Sequence, residues 1–354
     1  MANDALRRVT PLAALLGLDV PVIQAPMAGV QDAGLAIAVC HAGGLGSLPC
    51  AMLSADAMRR EIGAVVGATS RPFNVNFFCH TPPAPDPVRD ASWREALRPY
   101  YEEFGLDASE VPSGPARMPF SHEAADVLEE LKPPVVSFHF GLPSPELMNR
   151  VRATGAKILA SATTVDEARW LEARGVDAIV AQGLEAGGHR GMFLSPDLTN
   201  QVETSTLVQA MVKAVRIPVI AAGGIADANG IKTAIARGAA GVQIGTAYLL
   251  CSEATTSAVH RAALASERAT ATHLTNLFTG GVARGIVNRL MRELGPINPL
   301  APPFPLAAAA VAPLRAKAEA ANRDDFSPLW AGQNVSGCRP ISATDLTRAL
   351  VNDE

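Results

Sequence analysis

Three stretches of the chain share one local pattern, and it restricts the fold more than any other feature. Arg152-Ala153-Thr154-Gly155-Ala156-Lys157-Ile158-Leu159-Ala160, Glu172-Ala173-Arg174-Gly175-Val176-Asp177-Ala178-Ile179-Val180 and Ile235-Ala236-Arg237-Gly238-Ala239-Ala240-Gly241-Val242-Gln243-Ile244 each end a helix on a glycine and begin an apolar strand within a few residues. Glycine suits the position just past a helix because it adopts left-handed backbone without penalty. Strands that are apolar on both parities are buried on both faces, as in a parallel sheet covered by helices. The same alternation extends in both directions, with strands expected at 20–26, 44–48, 73–78, 135–141, 218–224 and 241–249 beside those of the first two repeats. Eight such units in series predict an α/β fold, a (β/α)8 TIM barrel, over residues 1–250. A doubly wound open sheet is the alternative.

Two segments fall outside this rhythm. Residues 79–120 open with Pro82-Pro83-Ala84-Pro85-Asp86-Pro87 and hold one expected helix, 89–104. They carry too few apolar residues for a core of their own, so they read as an insertion after the third strand. Residues 251–354 exceed what a barrel requires. Helices are expected at 254–271 and 306–321, joined through a proline-rich connector at 296–305, as a helical C-terminal extension covering the active-site face.

The balance of the 354 residues excludes several functions. Hydrophobic content is 48%, charged content 18% and net charge −4, with basic residues scattered. That describes a globular protein without a nucleic-acid or membrane surface. Cys40, Cys50, Cys79, Cys251 and Cys338 are dispersed, and the seven histidines form no cluster, so no metal site is expected. Arg7 and Arg8 precede a stretch interrupted by Asp19 and prolines, a poor signal peptide, and the expected location is cytoplasmic.

Barrel enzymes place their chemistry at the carboxyl ends of the strands. There the chain puts Ala25, Pro26 and Met27, then Asn76, then Ser137 and His139 on one parity of the fourth strand. The sixth strand ends in Gln182-Gly183-Leu184-Glu185-Ala186-Gly187-Gly188-His189-Arg190-Gly191, a glycine-rich loop that can present an imidazole to a ligand. A tight turn with a solvated histidine is the plain alternative. Gly223-Gly224 and Gln243-Ile244-Gly245-Thr246 end the last two strands, where barrels commonly bind phosphate through loop amides. Asn76, Gln182 and Gln243 could hydrogen-bond the edge of a flat ring, or cap buried backbone.

Read together, Gln24-Ala25-Pro26-Met27-Ala28-Gly29, Ala42-Gly43-Gly44-Leu45-Gly46, Ser137-Phe138-His139-Phe140-Gly141, the loop 182–191 and Ala221-Ala222-Gly223-Gly224-Ile225-Ala226-Asp227 resemble the nitronate monooxygenases, more narrowly class I, formerly called 2-nitropropane dioxygenases. The tail segments Ala283-Arg284-Gly285-Ile286-Val287-Asn288-Arg289 and Leu329-Trp330-Ala331-Gly332-Gln333 fit as well. The resemblance implies FMN as cofactor and oxidative denitrification of alkyl nitronates with O2 through a flavosemiquinone. Propionate 3-nitronate is the implied substrate, with neutral nitroalkanes as a further class. It implies that Ala25, Pro26 and Met27 line the flavin, that Asn76 and Gln182 hydrogen-bond it, and that Gly187, Gly223, Gly224, Gln243, Ile244, Gly245 and Thr246 cradle ring and phosphate.

By the same resemblance His189 is catalytic, with His139 beside it. Neutral, the imidazole would abstract the α-proton of a nitroalkane; protonated, it would attract a nitronate. Lys317 is a candidate for holding a substrate carboxylate, with a solvated lysine as the plain alternative, and a monomer or homodimer is expected. One departure stands out: Gly281-Val282 occupies the place where the family pattern leads us to expect an arginine and a proline. The rival reading is an NAD(P)H-dependent FMN reductase of the enoyl-acyl-carrier-protein reductase type; a flavin-binding module without turnover is more remote.

Overall fold

The computed structural model describes residues 10–107, 111 and 117–352. Arg7 and Arg8, and with them the reading of the amino terminus, lie outside the described residues. Eight parallel strands form the barrel: β1 (Val22–Gln24), β2 (Gly46–Pro49), β3 (Phe73–Phe78), β4 (Val135–His139), β5 (Lys157–Ala162), β6 (Ala178–Gln182), β8 (Val219–Ala222) and β9 (Gly241–Ile244). Each pairs with its neighbours in chain order, and β9 returns to β1 with Val22 opposite Val242. The ring closes between β1 and β2 through the Ile23–Leu45 bridge, where the Leu45 amide donates to Val22 O at 2.9 Å. Inside, Ile23, Leu45, Val135, Leu159, Val180 and Ile220 fill the barrel, and Leu12 and Leu16 of α1 (Pro11–Leu16) join that cluster.

The helices start where polar side chains cap them. Asp32, Ser54, Ser121, Ser144, Thr164 and Asp227 each accept a backbone N–H in the first turn of the helix that follows. Such caps contribute about 1 kcal/mol each. They also fix the strand-to-helix turns from which the site is built.

The chain departs from the sequence reading in three places. The eighth strand stops at Ile244, not near residue 249, because Gly245 takes a helical backbone and Thr246–Leu250 winds into a 3-10 turn. Ala247, Tyr248, Leu249 and Leu250 are apolar because that turn is buried, not because it is a strand. The expected helix at 254–271 is two pieces, α10 (Ala258–Leu264) and a 3-10 turn at Glu267–Thr270, separated at the extended Ser266. The third difference is that residues beyond 250 supply strands as well as helices. β10 (Thr272–Thr275) and β11 (Ala283–Ile286) pair antiparallel, and β11 then pairs with β7 (Gly188–His189). The histidine loop is thus the edge of a three-stranded sheet built mainly by the tail.

The insertion packs on the tail. From α4 (Pro87–Glu103), Trp93 Nε1 donates to Ala307 O at 3.4 Å and Tyr101 Oη to Ala310 O at 2.6 Å, both on α12 (Ala307–Ala320). Trp93, Leu97, Leu314 and Phe326 share one buried cluster. No helix among the described residues is long and apolar enough to cross a membrane.

Candidate active site

The backbone of His189 is held from three sides. Gln182, at the end of β6, donates from Nε2 to His189 O at 2.8 Å and accepts Gly191 N on Oε1 at 2.7 Å. His139, at the end of β4, donates from Nε2 to the same carbonyl at 3.2 Å, and its Nδ1 is hydrogen-bonded to Ser161 Oγ at 2.9 Å. A carbonyl can only accept, so His139 carries its proton on Nε2. From the tail, Ala283 lies opposite His189 in the β7–β11 ladder, and Val282 O accepts Arg190 N at 2.8 Å. Buried Arg190 locks the base of the loop through Gly183 O, Gln182 O and Gln201 Oε1.

The imidazole of His189 is committed at one nitrogen only. Its Nε2 is 2.8 Å from Thr279 Oγ1, and Nδ1 has no hydrogen-bond partner among the described residues. Gly281 explains the departure at that segment: an added Cβ would lie 3.0 Å from Phe304 and 3.3 Å from His189. A larger side chain there would displace the two rings. Val282 acts through its carbonyl, for which no particular side chain is needed.

Both imidazoles are neutral near pH 7. Burial lowers His139 to about 4, reinforced by the charge of Arg190 and opposed by its bond to the His189 carbonyl. His189 is held well below the usual histidine value, first by burial, then by the charge of Arg117 and the neighbouring His139 and His80. Attraction of an anion by a protonated His189, expected above, is therefore not what the free site offers. Among the described residues, the lysine or arginine that lines the cleft is Arg117, which carries no sequence pattern that could have singled it out.

A cleft enclosing about 1390 Å³, open mouth included, joins these groups at the carboxyl ends of the strands. Ala25, Pro26, Met27, Asn76, His139, Gln182, Gly187, His189, Gly223, Gly224, Gln243, Ile244, Gly245 and Thr246 all line it. Lys317 does not: it is exposed on α12. Within the group the roles differ. Gln182 has both ends of its amide engaged with the histidine loop, and Asn76 donates to Ser137 O and Oγ at 3.2 and 2.9 Å.

Several side chains that shape the site had no role assigned to them from the sequence. Fully buried Gln24 accepts Ser47 N on Oε1 at 3.0 Å and donates to Gln31, and Gln31 accepts Met27 N at 2.9 Å, shaping the Ala25–Met27 turn. Buried Glu167 accepts Thr163 N and Phe193 N, tying down the chain after the loop. A buried polar residue within an apolar run is the signal that could have flagged Gln24. Glu167 sits in an ordinary amphipathic helix, and nothing marked it.

The lining set also bears on what the cleft can hold. Gly223 and Gly224 take φ of +122° and +71°, conformations side chains other than glycine rarely adopt, on the strand-to-helix turn after β8. Ala25, Pro26 and Met27 give an apolar side, and Asn76 and Gln243 give polar edges. This chemistry fits a flat ring with polar edges and an anionic tail held by loop amides. Glu185, the acid beside these glycines, is turned onto Thr204 N and Oγ1, both at 2.8 Å.

A closed (β/α)8 barrel with a loop-borne histidine and a cleft at the carboxyl ends of its strands defines a barrel enzyme of the common kind. Its family follows from the comparisons: the nitronate monooxygenase family model matches residues 9–353, and the chain belongs to that family. It is an oxidoreductase. It is similar to a nitronate monooxygenase of Pseudomonas aeruginosa, 41% identical over 342 residues, with 96% of this chain and 97% of that protein aligned. Among solved structures it resembles a nitroalkane oxidase from Streptomyces ansochromogenes, with TM-score 0.86, 38% identity and 96% of each chain covered. It also resembles FabK from Thermotoga maritima, with TM-score 0.70, 25% identity, and 97% and 94% of the two chains covered.

Proposed function

We propose that this enzyme binds FMN in the cleft and oxidises alkyl nitronates with O2, with propionate 3-nitronate and neutral nitroalkanes as its substrates. The observation that carries the reading is the fixed presentation of His189. Gln182 and His139 both donate to its carbonyl and β11 pairs alongside it, while Nδ1 has no partner among the described residues, in a cleft whose lining suits a flavin. FMN, when bound, supplies the one-electron acceptor that protein side chains lack. Ala25, Pro26 and Met27 would flank its ring, and Gly223, Gly224, Gly245 and Thr246 would hold its phosphate end.

The remaining work falls to the chain's own residues. The Thr279 hydroxyl donates to Gly281 O at 3.4 Å, which leaves its oxygen to accept Nε2–H of His189 and makes Nδ1 the acceptor for the α-proton of a nitroalkane. The low pKa keeps that nitrogen unprotonated in the free enzyme. The nitronate formed beside it stabilises the imidazolium by opposite charge. A pre-formed nitronate needs no such transfer and uses the site for binding and orientation alone. Phe78, Phe140, Phe304 and Trp330 crowd the imidazole and limit water there: the Phe304 and Trp330 rings lie 5.1 and 5.4 Å from it.

The test is direct. Purified protein should be yellow, hold one releasable FMN per chain, consume O2 with an added nitronate and release nitrite. Bound FAD, or no flavin after reconstitution with FMN, refutes the cofactor assignment. The reductase reading has the FabK likeness behind it, at 25% identity against 38% for the nitroalkane oxidase. Rapid bleaching of the bound flavin by NADH or NADPH would favour it.

A further inference from the structure

Arg117 enters the cleft from the segment between α4 and α5 (His122–Leu131), outside the barrel units. Its guanidinium carbon is 6.0 Å from the centre of the Phe304 ring, and the His189 ring is 5.1 Å from that same centre. His80 at 4.8 Å and Phe140 at 5.1 Å complete the aromatic wall. No carboxylate pairs with Arg117 among the described residues. The other charge acting on it is that of a second arginine, Arg315, which is itself bound to Glu319 at 2.7 Å.

A guanidinium drawn partly out of water without a counter-ion is an unfavourable arrangement that an arriving anion relieves. The face of an aromatic ring compensates only weakly at this distance. The planar fork of arginine matches two coplanar oxygens on one atom, the geometry shared by a carboxylate and a nitronate. The nearby imidazoles are neutral and do not compete for that role. We propose that Arg117 is the specificity-determining cation of the site, binding a planar two-oxygen anion of the substrate on the Phe304 side of His189. The anion is either the nitronate group itself or a carboxylate carried further along the substrate. The proposal deepens the nitronate reading of the cleft and rests on it.

The experiment compares wild type, Arg117→Gln and Arg117→Lys as holoproteins, with thermal melts to establish equal folding. KM and kcat are measured for propyl-1-nitronate, for propionate 3-nitronate and for freshly dissolved neutral 1-nitropropane. Pentanoate, a carboxylate without a nitro group, is titrated calorimetrically. In Arg117→Gln, KM for at least one nitronate should rise roughly 10- to 100-fold with kcat little changed, as expected for loss of a charge-assisted bidentate contact. KM for neutral 1-nitropropane should stay within about twofold, and Arg117→Lys should recover part of the loss. A rise confined to propionate 3-nitronate, with pentanoate weakened in parallel, assigns the bound anion as the carboxylate. A rise for both nitronates assigns it as the nitronate group. Unchanged KM for both anions, or an equal rise for the neutral substrate, overturns the proposal. If wild type turns over no nitronate yet binds pentanoate through Arg117, the nitronate reading fails and the anion site stands.

Discussion

The hydroxyl of Thr279 lies 2.8 Å from Nε2 of His189, a contact between residues ninety positions apart. It is made possible by the hairpin that joins β10 to β11 and pairs the latter with the histidine loop. The tail therefore engages one nitrogen of the imidazole and leaves the other, Nδ1, for the role proposed above.

Thr279→Val should slow turnover of neutral nitroalkanes by about 2- to 10-fold, the range expected when one hydrogen bond that orients a side chain is lost. Thr279→Ser keeps the hydroxyl and should remain near wild type. Steady-state rates on 1-nitropropane across pH 6–9 give the readout. A Thr279→Val enzyme indistinguishable from wild type would show that the hydroxyl does not set the tautomer.

Much of this arrangement is legible in the sequence, and what is not has identifiable causes. The barrel could be read because its strands are apolar on both parities and its helices stop at glycines. His189 could be read because Gly187, Gly188 and Gly191 surround it. β10 could not: Thr272-His273-Leu274-Thr275 is short, half-exposed and polar, and its strand character comes only from pairing. β7 is two residues long and exists through its partner β11. Arg117 follows a proline-rich segment with no periodicity to place it. Gln182 illustrates a different limit, a residue at the cleft for which two roles stayed open and whose amide is engaged with the backbone of its own loop. Residue type and strand position gave its location, but the direction of its hydrogen bonds depended on how Gly191 returned.

Gly187→Ala tests the docking of loop and tail. A Cβ at that position would lie 2.5 Å from Gly332 N and 2.6 Å from Ala331 C, both backbone atoms that cannot rotate away. The two segments would have to separate. We expect a loss of roughly 1–3 kcal/mol in urea unfolding, together with reduced flavin content under the proposed assignment. Unaltered stability would mean the tail moves away without resistance.

Acid should destabilise the protein in a defined window. His260 is 4% exposed and is lowered to about 4 by burial, with Arg315 adding to the effect. His139 is lowered to about 4 as well. In the unfolded chain both protonate near 6.5, so between that value and about 4 the unfolded state binds more protons. The stabilisation is fully present above pH 6.5 and is lost as pH falls toward 4. For His260 alone the linkage is on the order of 3 kcal/mol. Melting temperatures from pH 8 to pH 4 should show the decline, and His260→Gln should flatten part of it.

His189→Asn separates proton transfer from everything else the site does. With Nδ1 gone, the α-proton of a neutral nitroalkane has no positioned acceptor. Its turnover should fall by about 10²–10⁴-fold, the usual contribution of a general base. A pre-formed nitronate has already lost that proton, so the same variant should retain much of its activity on the anion. The loop itself should persist, because Gln182, His139 and Ala283 hold the backbone of residue 189 and not its side chain. His139→Asn is the control. Its ring acts on that backbone, so its replacement should affect neutral and anionic substrates alike, as a shift in loop position would. Equal losses on both substrate forms in His189→Asn would remove the base assignment while leaving the barrel, the cleft and the anion site in place.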